Sequence, residues 1–402
     1  MTQQQAVERD SIAQMPQGPL GIIALESCRE LGANVNDFLI QWHNELDDIS
    51  DELYTFPGLE RDTYLVASAC PRFGTGEGKG VIRETVRGYD IFIIVDIGNY
   101  GCSYKLYGKE LPMSPDDHFQ DLKRIISAIG GKARRVSVVM PMLYEGRQHR
   151  RISRESLDCA IALQELERLG VQNIITFDAH DPRVQNAVPL ISFENVLPSY
   201  QILKALLRDI PDLKIHRDHM LTISPDEGAI DRNIYYSTVL GINMGLFYKR
   251  RDYSTVINGR NPIIAHEYLG EDVEGKDIII SDDIISTGES MLDICKELKN
   301  RKAGRIFCSC TFGLFTQGIE AFNRAYEEGV IHRVLSTNLT YRTEELKNAP
   351  WYIDVDMSKY IAFIIATLNH DRSISRLLNP MQRINKLLYN YKEQQKANGF
   401  IY

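Results

Sequence analysis

The sequence predicts an α/β protein of two domains, each with a central, mainly parallel sheet flanked by helices. Two observations carry this reading. A buried-strand pattern at Val136–Met140, a helical stripe at Ser156–Leu169 and a second strand at Ile174–Phe177 form one βαβ unit. Asp277–Ile280, Met291–Lys299 and Ile306–Thr311 repeat that order later in the chain. A third observation is length: 402 residues are enough for two domains with proper cores.

Taken in order, residues 1–19 are polar and expected to form a flexible N-terminus. The first domain spans 20–200. In its helix, Cys159, Leu163 and Leu166 share a stripe, and Gly170 supplies a C-cap. The stretch Pro189–Tyr200, broken by Pro189, Asn195 and Pro198, is read as the boundary. The second domain spans 201–365. Its strand Ile278-Ile279-Ile280 is β-branched throughout. In the helix that follows, Met291, Ile294, Cys295 and Leu298 fall at i, i+3, i+4 and i+7. Residues 366–402 are expected to be a C-terminal helix and tail, polar after Pro380 and suited to subunit contact.

Composition excludes several classes. The chain is 44% hydrophobic and 25% charged, with net charge −8, which argues against nucleic-acid or anionic-membrane partners. No apolar run approaches transmembrane length, and the N-terminus lacks a signal-peptide pattern. The seven cysteines are scattered, as expected of reduced thiols in a cytoplasmic protein. Cys308-Ser-Cys310 reads as part of a strand.

Five clusters could carry chemistry. In the first, the strand at Ile278–Ile280 ends in the adjacent carboxylates Asp282 and Asp283. The turn Ser286-Thr287-Gly288-Glu289-Ser290 and a helix start follow. Free N–H groups at a helix start bind phosphate, and acids beside them can bind sugar hydroxyls or a divalent metal. A phosphorylated sugar fits that combination. The second is Asp178-Ala179-His180, where His180 is a candidate metal ligand or proton acceptor, or simply a capping histidine. The third is Ser224-Pro225-Asp226-Glu227-Gly228, a second candidate metal site or an ordinary turn. The fourth, Lys249-Arg250-Arg251, stands at a strand end and, with the polar sequence up to Asn261, reads as a mobile basic loop over a polyphosphate, or as a solvated basic face. The fifth comprises Arg147–Arg151, whose cations suit a polyphosphate, and Arg72–Glu77, whose Phe73 could stack on a nucleobase.

In order and spacing these clusters resemble the ribose-phosphate pyrophosphokinases. The resemblance runs from about Cys70 to Leu378, interrupted by an insertion near Asn99–Pro115. The family pattern RFSDGE appears as Arg72–Glu77, and NVRGxDxFI as Thr85–Ile93. PYxxYxRQDR appears as Pro141–Arg150, and DLHxxQIQG as Asp178–Asn186. SPDxGGxxR appears as Ser224–Arg232, KRR as Lys249–Arg251, and VDDxIDTGGT as Ser281–Ser290. The resemblance implies two phosphoribosyltransferase-like domains and a reaction in which ATP and ribose 5-phosphate give AMP and 5-phosphoribosyl 1-diphosphate. It implies that Phe73, Thr75, Glu77, Arg147 and Gln148 bind ATP. His180 and Asp226 would hold Mg²⁺, and Lys249, Arg251 and His180 would serve catalysis. Asp282, Asp283, Ser286, Thr287, Gly288, Glu289 and Ser290 would bind ribose 5-phosphate. It further implies a homo-oligomer, dimer or hexamer.

The chain departs from the family pattern at Ser286 (aspartate in the family), Glu289 (glycine) and His149 (aspartate). Glu289 raises two concerns: like charge against a phosphate, and backbone strain if glycine-like angles are needed there. Ser286 and Glu289 keep open a non-catalytic nucleotide-binding regulator of the same family, and the acid-pair loop, which phosphoribosyltransferases share, keeps open a phosphoribosyltransferase.

Overall fold

The computed structural model describes residues 16–47, 62–251 and 263–397. The chain forms two compact units. The first comprises residues up to Leu197 together with Leu339–Tyr341 and Met357–Leu378. The second comprises Pro198–Asn338, Arg342–Asp356 and the residues from Asn379 onward.

The first unit contains β1 (Leu20–Ala24), β2 (Ser68–Ala69), β3 (Val81–Ile82), β4 (Asp90–Ile94), β5 (Ser103–Leu106), β6 (Lys109–Pro112), β7 (Arg135–Val139), β8 (Asn173–Phe177) and β9 (Ser192–Val196). Its main sheet has the order β1-β4-β7-β8-β9 with every pair parallel. β4 and β8 are buried along their whole length, which is why they read as largely apolar runs, Ile91–Ile94 in β4 and Ile174, Ile175 and Phe177 in β8. The helix seen in the sequence at Ser156–Leu169 begins at Asp158, after a short connection, and ends at Arg168. The insertion near Asn99–Pro115 folds as the antiparallel hairpin β5–β6. Residues 1–15, most of the expected flexible N-terminus, lie outside the described residues. Gln17, Gly18 and Pro19 are tied down, however: Gln17 N donates to Asn369 O (2.8 Å), and Pro19 O accepts from Asp90 N (3.0 Å).

The second unit contains β10 (Met220–Ser224), β11 (Asn243–Arg251), β12 (Ile263–Leu269), β13 (Asp277–Ile285), β14 (Ile306–Gly313), β15 (Arg333–Thr337) and β16 (Tyr352–Val355). The order is β12-β11-β10-β13-β14-β15-β16, parallel except for the antiparallel edge pair β11–β12. Cys308 and Cys310 lie on β14. All seven cysteines are free thiols.

Three sequence expectations change here. β13 does not stop at Ile280 but carries Asp282 and Asp283 as strand residues, because pairing with β14 runs on to Ile285 although pairing with β10 ends at Ile280. Lys249–Arg251, read as a strand end from which a basic loop opens, lie wholly within β11: Lys249 pairs with His266 and Arg251 with Ile263, across an irregularity at Arg250/Arg251. Residues 252–262, the remainder of the expected loop, lie outside the described residues.

The third change concerns the C-terminal third, which a linear division at 365 cuts in the wrong place. The helix Ser358–Asn369 packs with the first unit, against the helix Arg29–Asp47. A buried ion pair fixes it there. Asp90 is fully buried, accepts from Arg135 Nε (2.8 Å) and from Asn369 Nδ2 (2.9 Å), and Arg135 also reaches Asp371 (3.0 Å). The tail after Pro380 is a helix, Met381–Ala397, belonging to the second unit. Ile384, Leu388, Tyr391 and Gln395 form its buried stripe. The Tyr391 hydroxyl lies 3.0 Å from Ile210 O, and the Gln395 amide donates to Leu213 O (2.9 Å). That stripe is occupied within its own chain.

Candidate functional site

In open parallel sheets, ligands bind beyond the carboxyl ends of the strands; the candidates of the second unit and His180 of the first follow such strand ends, whereas Phe73–Glu77 lies between the short antiparallel strands β2 and β3. In the second unit, sheet register does the assembling. Ile223 lies opposite Ile280, and Ser224 lies opposite Leu246. Counting on from these pairs brings Asp226, Asp282–Asp283 and Lys249 to one end of three neighbouring strands.

The acid pair is held by backbone. Asp283 N donates to Asp282 Oδ1 (2.9 Å), and Ile284 N donates to Asp283 Oδ1 (2.9 Å). Burial, and then the like charge of Asp283, push the Asp282 carboxyl up to about 8, while Arg232, 3.6 Å away, pulls it down. Arg232 is the arginine that closes the Ser224–Arg232 motif. Sequence reasoning gave it no role, although its place in that motif was the available signal.

Beyond β13, Ser286 O accepts from Thr316 N (2.9 Å), which anchors the loop. Gly288 caps the next helix, Glu289–Asn300, with φ +86° and no side-chain cap. A Cβ at Gly288 would lie 2.3 Å from the Phe322 ring, so both conformation and space require glycine. Glu289 N donates to Thr287 Oγ1 (3.4 Å), and a helix start without a side-chain cap is suited to an anion. Glu289 is an ordinary first residue of that helix. It is not among the positive-φ residues, so the backbone strain feared from its sequence does not arise. Its side chain is exposed, at a helix start where negative charge favours the helix.

Asp226 ends the turn after β10 and accepts from Gly228 N (3.0 Å) and Ala229 N (3.2 Å) through Oδ1. Its turn-forming role is therefore real, and it fixes the direction of the carboxylate.

In the first unit, Phe73–Glu77 is a tight turn. Phe73 N donates to Glu77 O (2.7 Å), Gly76 N to Phe73 O (2.9 Å), and Thr75 Oγ1 to Glu77 Oε2 (2.9 Å). Phe73 is 53% exposed, leaving an apolar face for stacking. Arg147 is exposed in the loop after β7, whereas the Gln148 side chain donates to Ser156 O (2.8 Å).

His180 is exposed at the end of β8, just after the buried Asp178, which is held at φ +46°. Asp178 N donates to Val196 O and Ala179 N to Asn195 Oδ1, each at 2.9 Å. This bonding keeps a sparsely populated conformation in place. The His149 ring lies 5.4 Å from the His180 ring, and its Nε2 is 3.4 Å from Asp181 Oδ2. Hydrogen bonds from Arg183 hold the Asp181 carboxyl down at about 2, with a smaller contribution from His149. The departure at 149 thus places a second imidazole beside the first. Sequence alone did not show this, since 149 and 180 meet only through strand pairing.

Two family profiles match this chain. One, described as the N-terminal domain of ribose phosphate pyrophosphokinase, covers residues 20–170. The other, a phosphoribosyl synthetase-associated domain, covers 257–379. The chain belongs to the ribose-phosphate pyrophosphokinase family. A ribose-phosphate pyrophosphokinase of Vibrio parahaemolyticus is 27% identical over 335 residues, 82% of this chain and 94% of the relative. One from Ralstonia nicotianae is 29% identical over 253 residues, 62% of this chain and 71% of the relative. In fold, the chain is similar to phosphoribosylpyrophosphate synthetase from Mycobacterium smegmatis, with TM-score 0.68 and 20% identity, covering 88% of this chain and 99% of that one.

Proposed function

We propose that this chain transfers the diphosphoryl group of ATP to the 1-hydroxyl of ribose 5-phosphate, giving AMP and 5-phosphoribosyl 1-diphosphate. The observation that carries the reading is the register of β10, β11 and β13. It sets an acid pair, an oriented aspartate and the Lys249–Arg251 strand end beside a helix start that has no side-chain cap.

In this reading the 5-phosphate sits on the amides of the Ser286–Ser290 loop, and Asp282 and Asp283 accept from the ribose hydroxyls. The anomeric oxygen attacks the β-phosphorus and loses its proton as the bond from β-phosphorus to the α,β-bridging oxygen breaks. AMP leaves with that oxygen. Lys249 and Arg251 neutralise charge on the moving group, and positioning with charge neutralisation is most of what such a transfer needs. On the first unit, Phe73 stacks on adenine, Thr75 and Glu77 bound the base, and Arg147 and Gln148 bind phosphate oxygens.

Mg²⁺ fits the donors present: Asp226 offers a hard, oriented oxygen, and the ion commonly takes one or two protein ligands besides substrate phosphates and water. His180 is the donor on the first unit. When bound, Mg²⁺ would screen phosphate charge.

A phosphoribosyltransferase would have no need of an ATP cluster on the first unit. For a non-catalytic regulator, the best support was Ser286 and Glu289; the backbone strain expected at Glu289 is absent, which weakens that support, while its charge and the change at Ser286 stand. Among the described residues, no helix is long and apolar enough to cross a membrane. A cytoplasmic homo-oligomer, dimer or hexamer, completes the proposal.

The test is to incubate the full chain with ATP, ribose 5-phosphate and Mg²⁺, with and without inorganic phosphate. AMP and phosphoribosyl diphosphate should appear in equal amounts. No turnover under any of these conditions would overturn the reading.

A further inference from the structure

The hairpin β5–β6 is an insertion in the family pattern, and its contacts are specific. Tyr107 and Gly108 form its two-residue turn, both at positive φ (+50° and +78°), a geometry that matches strand twist. Alternation along β5 leaves Ser103 and Lys105 exposed and turns Tyr104 and Leu106 inward. What they meet is the Phe73–Glu77 turn. A Cβ built on Gly76, which stands at φ +89°, would lie 2.9 Å from Leu106 Cδ1 and 3.9 Å from Tyr104. The Arg72 guanidinium lies over the Tyr104 ring, 5.3 Å from its centre.

The hairpin is also joined to the turn through a helix. At its base, Met113 N donates to Cys102 O (2.8 Å). The next residue, Ser114, caps the helix Pro115–Ile129 in a capping box with Asp117. That helix carries Asp121, which accepts from Arg72 Nη2 (2.9 Å) and from Arg124 (2.7 Å). Arg72 and Asp121 side chains are 8% and 9% exposed. One rigid piece therefore grips Arg72 from below and supports Gly76 from the side, while Phe73 stays open.

We propose that this hairpin sets the position of the base-binding turn, with Leu106 and Tyr104 as positioning residues for ATP. The proposal rests on the reading of Phe73–Glu77 as the adenine-binding segment. Steady-state kinetics on the full chain test it. Leu106→Ala should raise KM for ATP about fivefold, with kcat and KM for ribose 5-phosphate within about twofold. Leu106→Met should restore the ATP value. Tyr107→Ala, at the 81% exposed tip, should leave it unchanged. Because Leu106 acts through the turn, adding Leu106→Ala to Phe73→Ala should cost little beyond Phe73→Ala alone. A raised ATP KM in Phe73→Ala with none in Leu106→Ala would overturn the hairpin's role, as would full additivity of the two. Should Phe73→Ala itself leave ATP KM unchanged, the adenine reading falls and the proposal with it.

Discussion

The acid-pair segment Asp282–Ser290 and the turn Phe73–Glu77, the two segments proposed to bind ribose 5-phosphate and adenine, are held in place by opposite means. The first is the continuation of a central strand, with Ile278, Ile279 and Ile280 fully buried behind it and a glycine wedged on Phe322 in front. The second is an exposed turn held by side chains from distant parts of the chain, Asp121 and Leu106. A site built on a buried strand inherits its placement from the sheet. A site on a surface turn must be placed by whatever packs beside it, so distant changes should move it more readily.

The sharpest break in this contrast is Gly288→Ala. Positive φ and a Cβ inside the Phe322 ring should together cost about 3 kcal/mol of stability. In thermal melts this should appear as a lowered Tm, and in kinetics as a large rise in KM for ribose 5-phosphate. An unchanged Tm would mean that the loop is not wedged. Phe73→Ala comes next: KM for ATP should rise about tenfold with Tm unchanged, since the ring is exposed and stacking accounts for the loss.

Asp282→Asn probes the charge side. The folded state raises the Asp282 carboxyl, chiefly by burial and then by Asp283, so folding retains a proton that the unfolded chain releases. The resulting stability is fully present below the ordinary aspartate pKa and is lost as pH rises through about 8. The amide variant should therefore gain Tm relative to the parent at pH 8 to 9 and match it near pH 4. A pH-independent difference would contradict the assignment.

The smallest effect is expected of Glu289→Gly. Removing an exposed negative charge beside the phosphate amides should lower KM for ribose 5-phosphate about two- to threefold. No change would place the carboxylate out of range of the phosphate.

Much of this was legible in sequence for a physical reason. Strands buried on both faces, such as β8 and β13, show as apolar runs, and the residues at their ends follow in the chain order. The βαβ units, the strand position of Cys308 and Cys310, and the family motifs were therefore readable. Lys249–Arg251 were read as a strand end opening a basic loop, but their pairing with β12 was not legible, because β12 lies beyond residues 252–262 and three cations carry no apolar signal of their own. Arg232 reaches Asp282, and His149 reaches His180, only through pairing and packing between segments distant in the sequence.

By itself, then, the sequence determined the α/β class, the family, and the residue types offered to a phosphorylated sugar and a nucleotide. These depend on local periodicity and on motif order, both of which are written along the chain. Tertiary structure alone decided that the helix Ser358–Asn369 returns to the first unit, because the fully buried Asp90 needs Asn369 and Arg135 together. It also decided that Glu289 is unstrained, because the left-handed residue of the loop is Gly288. The contact between the inserted hairpin and the Phe73–Glu77 turn was decided the same way, since the two lie some thirty positions apart in the chain, a separation that no local pattern spans.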